Sequence, residues 1–118
     1  MILTIRMIAE SGTAAETEYI AHRMLEKAAD SFERYLITDI QPYWKIEGCY
    51  EASLSAQCKK ELNDEEVELL IQRITDKISW SSYGVDGVAD SRLEILGSTF
   101  EHPAVRFCWF LFRKGEEA

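Results

Sequence analysis

Two glutamates four residues apart, Glu47 and Glu51, flank Cys49 in the run YWKIEGCYEASLSAQC at 43–58. Paired carboxylates do general acid–base work when they face each other across about 5–9 Å, as in glycosidases. Four residues of extended chain separate the α-carbons by about 13 Å, which puts this pair outside that range unless the strand bends. A second pairing, Glu101-His102, precedes Pro103 in a connecting stretch, where a histidine has the pKa range of a general base. Together with a nearby cysteine, Cys58 or Cys108, it describes a small cytoplasmic enzyme, a reading that stays open as an alternative. The other histidine, His22, lies on the flank of a helical stretch beside Arg23 and reads as solvated. Three cysteines, Cys49, Cys58 and Cys108, are an odd number without a C-x-x-C spacing, so reduced thiols are expected rather than a metal site or a disulfide framework. Gly84, Gly87 and Gly97 form neither G-x-G-x-x-G nor a P-loop. No catalytic residue, metal or cofactor is assigned, and a non-enzymatic protein is expected.

The elements that would position these residues follow from hydrophobic periodicity. Residues 2–8, ILTIRMI, form a short β-branched run, apolar on both faces, as in a strand near the middle of a sheet. Thr13 with Glu16 is a capping-box pattern. The stripe Ile20, Met24, Ala28, Phe32 and Tyr35 predicts one long helix to about Tyr35. The stretch 36–42 leads out of it to Pro42, and 43–58 then alternates as a long strand. Trp44, Ile46, Tyr50, Leu54 and Ala56 share one face of that strand, while Lys45, Glu47, Cys49, Glu51, Ser53, Ser55 and Gln57 share the other. Asn63 followed by Asp64, Glu65 and Glu66 starts a second helix, with a stripe running to about Ile78. Turns and a loop are expected at 81–91, a short strand at 92–97, and a terminal strand at 104–113, AVRFCWFLFR, apolar on both sides and therefore central. Residues 114–118 form a polar tail. The expected architecture is a single α+β domain over 1–118 in β-α-β-α-β-β order. Two amphipathic helices pack on one face of a mixed or mainly antiparallel sheet, and the other face is left open.

Composition decides what that open face can meet. The 118 residues carry 21 acidic and 13 basic side chains, a formal charge of -8. Direct nucleic-acid binding needs a basic patch and is not expected. A basic protein partner is expected instead, since opposite fields speed encounter. No apolar stretch approaches the ~20 residues of a membrane span. The N-terminal run MILTIRMIAESG has no leader-like pattern, so a cytoplasmic protein is expected. The candidate contact residues are Glu47 and Glu51 on the open sheet face, Tyr83, Asp86 and Asp90 in the exposed loop, and Glu94 and Glu101 flanking the last hairpin. They are expected to form one acidic patch with an aromatic anchor. A homo-oligomeric regulatory module pairing through an exposed strand edge is the remaining alternative.

The first strand ILTIRMIAES, the long helix after it, the alternating PYWKIEGCYEASLS, the acid-capped LNDEEVELLIQRI and the terminal aromatic strand together resemble the immunity proteins of contact-dependent growth inhibition systems. The resemblance implies a cytoplasmic, non-enzymatic protein that binds one cognate toxin domain, often a nuclease. Its carboxylates would stand in for phosphates and occlude the basic active-site cleft of that domain.

Overall fold

A computed structural model describes residues 1–114. The chain runs β1 (Ile2–Glu10), α1 (Ala14–Leu25), a 3-10 helix (Glu26–Ser31), β2 (Phe32–Pro42), β3 (Cys49–Cys58), α2 (Asp64–Gln72), β4 (Ser79–Ser82), β5 (Asp86–Asp90) and β6 (Val105–Arg113). The six strands among the described residues form one antiparallel sheet in the order β2-β3-β1-β6-β5-β4. This is the expected α+β domain with two helices packed on the sheet. No described helix is long and apolar enough to cross a membrane.

Side chains alternate along β1, and Leu3, Ile5, Met7 and Ala9 are all fully buried on one face. Register aligns Ile5 with Leu54 of β3 on one side and Phe110 of β6 on the other, and Met7 with Ala52 and Cys108. These rows form the floor of a single core, which is roofed by Ile20, Met24 and Leu25 of α1 and Val67, Leu70 and Ile71 of α2. Both helices therefore cover the same face. Their starts are fixed locally. Thr13 accepts a hydrogen bond from the Glu16 amide, and Asn63 and Glu66 form a reciprocal capping box.

Several boundaries differ from the sequence expectation. The first helix stops at Leu25, and after the 3-10 segment the chain becomes β2, although 26–35 had continued the helical stripe. Ala28 and Phe32 are buried as that stripe requires. From Arg34 to Thr38, however, residues pair with β3 in strict alternation, a period of two that the i, i+4 spacing concealed. The long strand at 43–58 begins only at Cys49. Residues 43–48 are the turn of the β2–β3 hairpin, closed by the Tyr43 amide on the Cys49 carbonyl at 2.8 Å and by Gly48 at φ 85°. Trp44, expected on the apolar face, is consequently 79% exposed. The supposed loop at 81–91 holds most of a hairpin, β4–β5, turning at Gly84. The expected strand at 92–97 is a turn, with the Leu96 and Gly97 amides both donating to the Arg92 carbonyl. The terminal strand is internal to the sheet, as expected. The polar tail lies, but for Lys114, outside the described residues.

The neighbours Phe110 and Trp109 point to opposite faces of β6, Phe110 fully buried and Trp109 37% exposed. Phe110→Ala should lower stability by about 3–5 kcal/mol by leaving a core cavity. Trp109→Ala should cost about 1 kcal/mol or less. Denaturant titration of the two variants against the parent checks the contrast.

Candidate partner-binding site

The face of the sheet away from the helices carries two rows that the register assembles. Ser53, Arg6, Trp109 and Val88 align across β3, β1, β6 and β5, and Glu51, Ile8, Phe107 and Asp90 form the next row. Cross-strand neighbours on one face touch. The Arg6 guanidinium accordingly lies over the Trp109 ring at 5.2 Å, and Phe107 meets Trp109 edge-on with centroids 4.3 Å apart. β6 is apolar on both sides, but only one side is roofed.

Beyond Phe107 the sheet face deepens into a cleft of about 570 Å³. Ile8, Phe107 and Trp109 form its floor. The hairpin turn 43–48 makes one wall, with Tyr43, Ile46 and Glu47, and Asp90 to Arg92 make the other. Large apolar side chains stand exposed on both turns, Trp44 and Ile46 on the first, Leu93 (89% exposed) and Ile95 on the second. The second turn departs from β5 after Ser91, whose amide still donates to the Arg106 carbonyl, and the Asp90 carboxylate accepts the Arg92 amide at 2.9 Å.

Two ion pairs on this face have one member inside. Glu51, 7% exposed, accepts from Arg6, with Nε at 3.1 Å, and from the Gln41 amide at 2.6 Å. Asp90, 2% exposed, takes Nε and Nη2 of Arg92. Arg106 pairs with Glu10 at the foot of the cleft. The guanidinium hydrogen bonds hold the carboxyl groups of Glu51 and Asp90 below the usual carboxylate range, against the opposing effect of burial. In both buried pairs it is the arginine that reaches solvent.

Of the residues expected to bind a partner, Glu47 and Asp90 line the same cleft, and Glu94 belongs to the turn that rises from its wall. Glu51 does lie on the open face. Asp86 is exposed at the other end of β5, opposite Leu111. Tyr83 and Glu101 are elsewhere. Tyr83 sits in the β4–β5 turn against α2, where the Glu68 carboxylate raises its pKa, and Glu101 pairs with Lys27 of the 3-10 helix at 3.3 Å. The single acidic patch therefore does not assemble. Asp90 in particular is not in an exposed loop: it closes β5 and is buried by Arg92. The residues that sequence reasoning passed over are Arg6, Arg92, Arg106, Phe107 and Trp109. Their one visible sign was an aromatic strand whose second side lined up with the polar side of β3.

The groups of the enzyme alternative each have a structural partner. Cys108 faces the core with Sγ 3.5 Å from Met24 Sδ, and burial pushes its thiol far up. His102 accepts the Ala104 amide at Nδ1 and packs edge-on against Tyr19. Burial likewise raises the Cys49 and Cys58 thiols. Among the described residues no three His, Cys, Asp or Glu side chains are grouped to hold a metal ion. No family model matches the chain, and neither a curated protein nor a solved structure matches it.

Because the folded-state pKa values of Glu51 and Asp90 are depressed, the stability they contribute is present above the unfolded carboxylate pKa of about 4 and is lost as pH falls through the folded values. Calorimetry from pH 7 to pH 2 should show Tm falling steeply below about pH 4. A Glu51→Gln, Asp90→Asn variant should start with a lower Tm at pH 7 and lose less of it on acidification.

Proposed function

We propose that this protein acts by binding and not by catalysis, as an immunity protein that neutralises a cognate toxin domain of the nuclease class.

 The partner in this reading is a basic nuclease domain, and the toxin's own cleft is what the bound protein closes. One observation carries the proposal: the row Phe107, Trp109 and Leu111 on β6 faces away from both helices, and four exposed apolar side chains on the flanking turns extend it. Aromatic side chains in a partly covered apolar surface are the usual anchors of a protein interface. The resemblance to immunity proteins supports the same class of partner. The chain's charge of -8 supports a basic one, because opposite fields raise the encounter rate. Glu47, Asp86 and Glu94 are the exposed members of the expected set on or beside the open face, and they are the carboxylates left to meet basic groups.

The test is co-expression with a basic nuclease domain found in the reading frame that neighbours this chain's own. Cells should be protected, and the two proteins should purify as a 1:1 complex. A Glu47→Gln, Asp86→Asn, Glu94→Gln variant should associate on the order of tenfold more slowly at low salt, with a flatter salt dependence. Absence of both protection and complex would overturn the proposal. A second reading, self-association, draws on β2, an edge strand of 11 residues with Leu36 exposed on its open face. Sedimentation as a monomer at high concentration removes it.

A further inference from the structure

We infer that the cleft between the 43–48 and 91–97 turns receives an acidic–apolar segment of a protein partner. A carboxylate of that segment is held by Arg92, Arg106 and Lys45, and an adjacent apolar side chain lies on Phe107 and Trp109. The inference rests on the binding role proposed above, but not on the partner being a toxin.

Charge complementarity selects this occupant. Around the cleft and its floor the cations Arg6, Lys45, Arg92 and Arg106 reach solvent, while two of the neighbouring carboxylates, Glu51 and Asp90, are buried behind their arginines. Glu10, itself 62% exposed, pairs with Arg106, and Glu47 stands exposed on the rim. An incoming carboxylate therefore meets four exposed cations against two exposed carboxylates, in a chain whose total charge has the opposite sign. Arg6 and Arg92 spend Nε and Nη2 on Glu51 and Asp90, and Nη1 takes no part in either of these pairs. A guanidinium already fixed by a buried carboxylate loses little side-chain entropy when it binds a second one. The floor suits the apolar half of the segment: Phe107 and Trp109 present an edge-to-face pair, and Ile46 overhangs it from the hairpin turn.

The experiment needs no natural partner. The protein, labelled with 15N, is titrated with the peptide acetyl-Asp-Leu-Asp-Phe-amide and separately with acetyl-Lys-Leu-Lys-Phe-amide. The acidic peptide should give saturable shifts at the Trp109 indole and at the amides of Arg92 and Arg106, and the basic peptide should give none there. Arg106→Gln and Lys45→Gln each remove an exposed cation without opening the core, and each should weaken the acidic peptide by about fivefold or more while Tm stays unchanged. Equal binding of both peptides, shifts confined to another surface, or no binding of either would overturn the inference. So would preferential binding of the turns to vesicles of phosphatidylcholine and phosphatidylserine with no response to the acidic peptide. Peptide binding without protection would leave this site standing and remove the toxin role; protection without peptide binding would do the reverse.

Discussion

Because β1 is hydrogen-bonded along both edges, its register against β3 and β6 sets the two faces of the molecule at once. On one face it brings Leu54, Ile5 and Phe110 into a row beneath the helices; on the other it places Arg6 beside Trp109 and Ile8 between Glu51 and Phe107. A slip of one residue would exchange the faces, burying Arg6 and exposing Ile5. The core thus fixes the candidate site indirectly. Packing of Leu3, Ile5 and Met7 under α1 and α2 selects the register, and the register delivers the cation–π pair and the aromatic floor.

Two carboxylates on the open face are buried, and removing a carboxylate from water is costly unless a partner compensates it. Arg6 with Gln41 compensates Glu51, and Arg92 compensates Asp90. The outcome reverses the local electrostatics that the composition suggested. A net charge of -8 belongs to the whole chain and acts at long range, where it steers encounter. At contact distance, what matters is which member of each ion pair faces outward, and in the Arg6–Glu51 and Arg92–Asp90 pairs that is the arginine.

The turns at 43–48 and 91–97 are the least regular parts of the cleft and carry its most exposed apolar side chains. Both are closed by short-range bonds: the Tyr43 amide to Cys49 and the Arg92 amide to the Asp90 carboxylate. A rigid sheet with short, internally bonded turns at one end can present anchors in a defined arrangement, which lowers the ordering cost of binding. Cys108 and His102 serve the other side of the molecule, in the core and against α1, while Cys49 lines the cleft as a buried thiol.

By itself the sequence determined the α+β class, the caps at Thr13 and Asn63, the alternation of Tyr50 to Gln57 and the internal place of β6. Each of these follows from a local period or a cap chemistry that a few neighbouring residues specify. It could not separate helix from strand at 32–35, where Phe32 and Tyr35 satisfy both a helical stripe and a strand face. Nor could it show that 86–90 pairs with β6 while 92–97 does not, since hydrogen-bond partners there lie about 20 residues apart in the chain. Only the tertiary structure decided that Glu51 and Asp90 turn inward onto arginines, leaving cations and aromatics outside. That choice depends on pairings between residues as far apart as Arg6 and Glu51, which no local pattern encodes.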